Sequence, residues 1–202
     1  KEAFRLYKLA SSQGYAQGQS NLGWMYVTGN GIKKDLKEAI KMFKLAANQG
    51  HSSAQAGLGF MYSNGDGVEK NKKEALRLFN LAAEQDNTFA QGKLGFMYWI
   101  GDGIKQDQRQ AFKYFKLAAE KGSTNSQHNL AHMYHYGTGI KKNLNEAIRL
   151  YSMVAKSGRI SAYSSLGQIY YIQSNFKEAF HFFKLAADKG NSNAQSNLGK
   201  MY

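Results

Sequence analysis

The stretch Asn21-Leu22-Gly23-Trp24-Met25-Tyr26 sets a frame that occurs six times along this chain of 202 residues. The leucine of the frame recurs at positions 58, 94, 130, 166 and 198, so the steps are 36, 36, 36, 36 and 32 residues. A fixed period of about 20 to 50 residues is typical of repeat proteins, in which each unit packs only on its neighbours. The sequence therefore predicts a stack of similar units that offers a long surface for binding.

Each unit reads as a pair of helices. The segment Ala16–Thr28 has the apolar spacing of a helix, Gly29-Asn30-Gly31 breaks it, and Asp35 starts a second helix that ends at Gly50. Asp35 and Glu38 have the spacing of a capping box. Equivalent pairs are Asn71/Glu74, Asn143/Glu146, Asn175/Glu178 and, in a weaker form, Asp107/Gln110. The helix ends are marked by Gly50, Gly122, Gly158 and Gly190, where a left-handed residue is needed.

The Gly-x-Gly turns admit two interpretations. They occur at Gly29–Gly31, Gly65–Gly67, Gly101–Gly103 and Gly137–Gly139. A phosphate-binding loop would need a preceding strand and a following Lys-Ser/Thr or third glycine, which the sequence lacks. We therefore interpret them as structural turns. The fifth unit lacks this turn, so its two helices are expected to connect through Gln173-Ser174-Asn175.

Residues 54–83 carry the motif in full: Ala54, Leu58, Gly59, Met61, Tyr62, Gly65, Gly67, Val68, Glu74, Ala75, Phe79, Ala82 and Ala83. This pattern resembles the Sel1-like repeat, a member of the tetratricopeptide-type helical repeats. The resemblance implies an all-α fold, a right-handed α-solenoid of antiparallel helix hairpins with about five repeats and incomplete terminal repeats. We expect residues 1–202 to form a single array, with repeats starting near 16, 52, 88, 124, 160 and 192, and to be a piece of a longer protein.

The resemblance also implies a non-enzymatic scaffold or adaptor for protein complexes. In tetratricopeptide hairpins the side of the first helix opposite the packing face lines a concave surface. Here the frame leucine, the alanine four residues before it and the Met-Tyr pair after it form the packing face. A recurring glutamine beside that face is expected to be a buried hydrogen-bonding residue, at Gln19, Gln55, Gln91, Gln127 and Gln195.

The opposite side of the first helices is rich in aromatic residues. We expect it to bind a peptide or protein segment, because aromatic side chains are preferred at binding hot spots. The candidate anchors are Trp24, Phe60, Phe96, Trp99, His132, His135, Tyr136 and Tyr171. The alternative is that Trp24, Phe60 and Phe96 pack against one another across repeats.

The basic residues follow one stripe of the second helices. The net charge of +13 points to acidic partners. The stripe contains Lys37, Lys41, Lys44, Lys73, Arg77, Arg109, Lys113 and Lys116, and equivalent positions add Lys1, Arg5, Lys8, Arg149, Lys177 and Lys184. One interpretation of the stripe is a solvated convex helix face. The alternative function is association with an anionic membrane or nucleic acid through this stripe. Nucleic acid is the weaker partner, because the aromatic residues that would stack on bases lie on the other face.

Signals for chemistry are sparse. His128, His132 and His135 share one helical face, but the residue after His128 is Asn129 rather than the glutamate of a metalloprotease helix. We therefore predict peptide contact at these histidines and no metal, cofactor or enzymatic activity. Cysteine is absent, which mildly favours a cytoplasmic location, and no signal or transmembrane segment is visible in this stretch of sequence. The oligomeric state and the cellular address are not encoded in these patterns.

Overall fold

The chain folds into α-helices joined by short turns. The computed structural model describes residues 2–202, and Lys1, predicted to belong to the basic stripe, lies outside the described residues. The helices of the described part are α1 (Glu2–Ser12), α2 (Ala16–Thr28), α3 (Leu36–Asn48), α4 (Ser52–Asn64), α5 (Lys72–Glu84), α6 (Thr88–Ile100), α7 (Gln108–Glu120), α8 (Thr124–Tyr136), α9 (Leu144–Lys156), α10 (Ile160–Ile172), α11 (Phe176–Ala187) and α12 (Ser192–Gly199). The predicted all-α solenoid is confirmed.

Even-numbered helices are the first helix of a repeat and odd-numbered helices are the second. Within each unit, a first helix packs against the neighbouring second helices, as α2 does with α1 and α3, and α4 with α3 and α5. The helices group into two compact units: unit 1 contains α1 to α6 and ends at Gln106, and unit 2 comprises Asp107–Tyr202.

One aromatic side chain from each of the second helices α3, α5, α7, α9 and α11 fills the core. Four of these positions hold Phe43, Phe79, Phe115 and Phe183, and the fourth repeat holds Tyr151 instead. All five are at most 2% exposed. Burying one such side chain stabilises the fold by about 1.5 to 3 kcal/mol.

Small residues on the first helices make room for these rings. A Cβ added at Gly23 or Gly57 would lie 2.7 Å from the ring of Phe43, and one added at Gly167 would lie 2.6 Å from the ring of Phe183. Contacts of that length are shorter than packed carbon atoms tolerate. The glycine after the frame leucine therefore allows the two helices of a hairpin to approach closely.

Most of the predicted helix caps are present. The carboxylate of Asp35 accepts hydrogen bonds from the backbone N–H groups of Lys37 and Glu38, both at 3.0 Å. Asn71, Asp107 and Asn143 cap their helices in the same way. The predicted cap at Asn175 was wrong, since its side chain makes no cap hydrogen bond. The three-residue link before α11 holds the Asn175 backbone at φ −87° and ψ 74°, away from the extended geometry of the other second-helix caps.

The Gly-x-Gly turns have a structural role. The first glycine ends the helix in the left-handed conformation, as at Gly65, where φ is 82°. The second glycine contacts the start of the preceding second helix: a Cβ at Gly103 would lie 2.5 Å from the Cβ of Lys72. The helix-ending glycines Gly50, Gly122, Gly158 and Gly190 also have positive φ values.

At two positions the recurring glutamine joins the first helix of a repeat to the end of its second helix. Gln19 accepts from Gln49 at 2.8 Å, and Gln55 accepts from Gln85 at 2.9 Å. The buried position predicted for this residue is confirmed at Gln19, Gln55, Gln91 and Gln127. It was wrong at Gln195, which is exposed on α12, where Ala194 is the buried residue.

Candidate functional site

In unit 1, the aromatic residues on the exposed side of the first helices form a packed cluster. Trp24 lies 6.5 Å from Phe60 and 6.1 Å from Phe89, measured between ring centroids, and it also packs edge-on against buried Phe43 at 5.2 Å. Its indole N–H donates to the hydroxyl of Ser53 at 3.3 Å. Trp24 and Phe60 are thus half-buried and pack across repeats, which agrees with the alternative interpretation for these two of its three residues.

A lysine that the sequence did not single out covers this cluster. The ammonium of Lys93 lies 5.0 Å from the ring centre of Phe60 and 5.2 Å from that of Phe89. Burial and the neighbouring charge of Lys72 lower the pKa of Lys93. Lys72 itself forms an ion pair with Asp102 and donates to Ser63 at 3.1 Å. In unit 1 a lysine ammonium therefore lies over the aromatic rings of Phe60 and Phe89.

Phe96 is the candidate anchor that unit 1 presents most openly. It is 45% exposed, and its ring meets half-buried Trp99 edge-on at 6.3 Å. The structure thus separates the four predicted anchors of this unit into three half-buried residues and one exposed residue.

In unit 2, the three histidines of α8 are more buried than the sequence predicted. His135 was assigned to the exposed side, but it is only 2% exposed and stacks on Tyr136 at 4.2 Å. His128 is half-buried against Tyr151 at 5.4 Å and pairs with the hydroxyl of Ser161 at 3.2 Å. His132 is half-buried beside Tyr136, with ring centroids 4.4 Å apart.

The burial of these rings disfavours their charged forms. Burial lowers the pKa of His128 and of His135 to about 4, with smaller contributions from Arg159 and Lys142 respectively, and it also lowers the pKa of His132. Among the described residues, no group of three or more His, Asp or Glu side chains is placed to hold a metal ion. Their arrangement provides hydrogen-bonding groups within an aromatic environment.

A cavity of about 430 Å³ in unit 2 adjoins these rings. Its lining contains three of the predicted anchors: His135, Tyr136 and Tyr171. The remaining lining residues are Gln168, Ile172, Phe183, Asn197 and Lys200. Tyr136 and Tyr171 are 56% and 47% exposed, whereas Phe183 is buried. The cavity thus has an apolar base and an aromatic rim that is open to solvent.

His135 lines this cavity, but its two ring nitrogens are enclosed by protein atoms. Neither nitrogen has a hydrogen-bond partner among the described residues, and the side chain is almost fully buried. A neutral imidazole has one donor and one acceptor nitrogen, and leaving such groups unpaired inside a protein costs about 1 to 3 kcal/mol each. The unpaired nitrogens of His135 therefore lower the stability of the fold.

The basic stripe is exposed to solvent at every described position that the sequence assigned to it. Several members pair with glutamates of their own helix, as Lys41 does with Glu38 at 3.6 Å and Arg77 does with Glu74 at 2.6 Å. Such surface pairs are worth about 0.2 to 1 kcal/mol. The exposed charge is available to solvent and partners, and it contributes little to the stability of the fold.

The comparison with protein families decides the identity of the repeats. The model described as Sel1 repeat matches residues 1–15, 16–51, 52–87, 88–123, 124–158 and 161–191. The chain belongs to the Sel1 repeat family. Proteins of this family generally act as scaffolds that bind protein partners, and the fold is typically non-enzymatic.

Solved structures of other Sel1-repeat proteins are similar over almost the whole chain. One is c5321, a protective antigen present in uropathogenic Escherichia coli strains, which has an SLR fold. It is 34% identical to this chain with a TM-score of 0.88, and the match covers 98% of this chain and 44% of that one. A Sel1 repeat protein from Oxalobacter formigenes is 36% identical with a TM-score of 0.78, over 93% of this chain and 78% of that one. This chain therefore spans less than half the length of the Escherichia coli antigen.

A more distant structure supports only the fold. The putative Sel1 repeat protein from Klebsiella pneumoniae is 17% identical with a TM-score of 0.65, and the match covers 98% of each chain. The comparison with curated proteins gave no match. No described helix of this Sel1-repeat chain is long and apolar enough to cross a membrane.

Two groups of this Sel1-repeat surface are absent from the candidate anchors that the sequence predicted. Lys93 and Asn197 both occupy the position just before the frame leucine, which sequence reasoning assigned neither to the packing face nor to the binding face. Gln168 and Lys200 stand two residues after that leucine, in the same position as Trp24 and Phe60. That shared position was the signal that could have added them to the candidate anchors.

Proposed function

We propose that this Sel1-repeat protein is a non-enzymatic scaffold that holds a segment of a partner protein against the exposed side of its first helices. The observation that carries the proposal is the cavity of unit 2 with its rim of exposed Tyr136 and Tyr171. Tyrosine is among the residues that dominate binding energy at interfaces, since it provides contact area and a hydrogen-bonding group at low entropic cost.

The apolar surface continues beyond the cavity. Ile172 and Phe176 are 58% and 54% exposed, and the Phe176 ring lies edge-on to Tyr171 at 5.5 Å. A contiguous exposed patch of this kind favours a protein partner over a small metabolite, because a partner chain can cover the rim as well as the cavity. The net charge of +13 favours a partner segment that carries acidic residues.

Selection of displayed random peptides on the purified protein tests the proposal. We expect the selected peptides to bind the Tyr136→Ala/Tyr171→Ala variant at least about tenfold more weakly, which corresponds to about 1.4 kcal/mol. The matched control is Tyr15→Ala, which removes a tyrosine that is 63% exposed in unit 1. If the selected peptides bind the double variant as tightly as the wild type, while circular dichroism shows that it remains helical, the cavity is not the binding site.

The second candidate function is association with an anionic surface through the basic stripe. It is supported by the solvent exposure of Lys37, Lys41 and Lys44, which lie on one side of α3. Vesicles of phosphatidylcholine with phosphatidylserine provide the test, since such binding weakens steeply between about 50 and 200 mM salt. Absence of binding at 50 mM salt, or binding that the Lys37→Gln/Lys41→Gln/Lys44→Gln variant retains in full, would remove this candidate.

A further inference from the structure

Helix α6 differs from the other first helices of unit 1 in the residues that it exposes. Its exposed residues are all large and apolar: Phe89, Phe96 and Ile100, each 42% to 53% exposed. The exposed residues of α2 and α4 are all polar, namely Gln17, Thr28 and Asn64. Large apolar side chains that lie together at the surface mark a face that another molecule covers.

These three residues and Lys93 form a single row along α6. The steps from Phe89 to Lys93, to Phe96 and to Ile100 are four, three and four residues. With a turn of about 100° per residue, the four side chains fall within about 60° of one another, and the row is about 16 Å long. We call these four residues the α6 stripe. Alternating steps of four and three residues are the spacing at which two helices pack side by side.

Lys93 introduces one positive charge into this apolar stripe. Its ammonium lies over the rings of Phe60 and Phe89, and the described residues offer it no hydrogen-bond acceptor. The side chain is half-buried, but its nitrogen is not one of the enclosed polar atoms that lack a partner, so it remains accessible from solvent. A carboxylate could therefore reach the ammonium and accept a charge-assisted hydrogen bond from it.

The charges around Lys93 also favour a carboxylate. Burial and the positive charge of Lys72 lower the pKa of Lys93, while the carboxylate of Asp102 pairs with Lys72. An acidic side chain from outside would thus balance a charge that no described carboxylate balances. A second copy of this chain is a poorer occupant, because each copy has a net charge of +13 and the two would repel each other.

We infer that the α6 stripe binds an amphipathic helix of a partner protein, and that a glutamate or aspartate of that helix pairs with Lys93. The inference rests on the proposed scaffold function, which it extends to unit 1, and it does not require the cavity of unit 2. The apolar face of the partner helix covers Phe89, Phe96 and Ile100. The single lysine fixes the position of the partner along the stripe, because only one register brings its carboxylate to the ammonium.

The backbone of α6 favours a helical partner over an extended one. An extended segment gains much of its affinity from the unpaired backbone groups of a sheet edge. The backbone groups along α6 are paired within the helix. Affinity must therefore come from side chains, and a helix presents its side chains in a row that matches the spacing of the stripe.

Selection from a displayed library of amphipathic helices tests the inference. The library has a background of Ala and Gln, and Leu, Phe, Glu, Gln and Lys are varied at four positions separated by four, three and four residues. We expect selected helices to have apolar residues at three of these positions and Glu at one. In synthetic peptides, replacing that Glu by Gln should weaken binding at least about tenfold, and by less at high salt. Two prolines in the centre of the peptide should abolish binding.

Variants at Lys93 form the second arm. Lys93→Gln should bind the Glu and Gln peptides with similar affinity, and Lys93→Glu should prefer a peptide that has Lys in place of the selected Glu. The matched control is Lys73→Gln, which removes one positive charge from an exposed lysine of α5 and should retain the preference for Glu. Circular dichroism establishes that each variant is folded, and if Lys93→Glu is not, Lys93→Gln decides.

The apolar part of the stripe has its own variant. Phe96→Ala/Ile100→Ala removes two exposed side chains and should weaken binding of the Glu peptide at least about tenfold. Leu6→Ala/Leu9→Ala is the matched control, because it removes two side chains of α1 that are about as exposed. That control should bind the peptide as tightly as the wild type does.

The remaining outcomes overturn the inference in distinguishable ways. Absence of any selected helix, selected helices without an acidic residue, a preference for Glu that Lys93→Gln retains, or full binding of the proline peptide each overturns it. Helices that depend on Tyr136 and Tyr171 instead of the α6 stripe overturn it and leave the scaffold function standing. Helices that ignore both surfaces overturn both proposals. A dimer of the protein alone, detected by light scattering and dissociated by Phe96→Ala/Ile100→Ala, would make a second copy the occupant.

Discussion

At the scale of single residues, two glycines in the same position of the repeat have different surroundings. A Cβ at Gly167 would lie 2.6 Å from the Phe183 ring, whereas a Cβ at Gly199 would have no neighbour within 4 Å. We expect Gly167→Ala to lower the free energy of unfolding by about 1 to 3 kcal/mol, because the core cannot absorb the added methyl group. Gly199→Ala should cause no loss. Urea unfolding followed by circular dichroism measures both variants, and equal losses would show that crowding by Phe183 is not the cause.

The buried histidines make stability depend on pH. In the folded state the pKa values of His128 and His135 are about 4, below the ordinary 6.5, so the unfolded chain binds protons first as the pH falls. Above about pH 6.5 the two histidines are neutral in both the folded and the unfolded state, so their titration does not change the stability. As the pH falls from there towards 4, the stability decreases. Between pH 7 and pH 5 we expect each residue to lower the free energy of unfolding by about 1 to 2 kcal/mol.

Variants at the two sites check this expectation. His128→Asn and His135→Asn should each flatten the dependence of the urea midpoint on pH between 7 and 5. His181→Asn, at an exposed histidine, should leave that dependence unchanged. A pH profile that is the same in all three variants would show that other groups cause the acid sensitivity.

At the scale of helices, the second helices begin in two ways. Asp35 caps α3 through two backbone N–H groups at 3.0 Å, while Asn175 stands before α11 without a cap hydrogen bond. Asp35→Ala should therefore lower the free energy of unfolding by about 0.5 to 2 kcal/mol, and Asn175→Ala by less than about 0.5 kcal/mol. Chemical unfolding gives both values. If the two substitutions cost the same, the hydrogen bonds are not what Asp35 contributes.

At the scale of the whole molecule, protection should differ from helix to helix because each repeat is stabilised by its neighbours. Helix α1 has no buried residue, whereas α4 has seven, and in unit 2 only Ala194 is buried in α12 while α10 has five buried residues. We expect amide hydrogens of α1 and α12 to exchange much faster than those of α4 and α10. Hydrogen exchange measured by mass spectrometry tests this. Uniform protection along the chain would indicate a single cooperative unit.

Much of the architecture follows from local pattern. Three features depend on interactions within about one repeat, which the sequence displays directly. They are the 36-residue period, the glycine turns and the helix caps at Asp35, Asn71, Asp107 and Asn143. The cap at Asn175 failed because the link before it is shorter, so its backbone does not reach the geometry that the same residue type has at Asn71 and Asn143.

The sequence by itself determined the family, the all-α solenoid and the side of the first helix that carries the varying residues, because helical periodicity specifies the direction of each side chain. Only the tertiary structure decided which of those residues are open to a partner. The position five residues after the frame leucine is buried at His135 and exposed at Tyr171, although both have the same direction on their helices. How deeply a side chain is covered depends on the residues of neighbouring helices, here Tyr151 of α9, whose ring packs edge-on against His135. No periodicity within one helix contains that information.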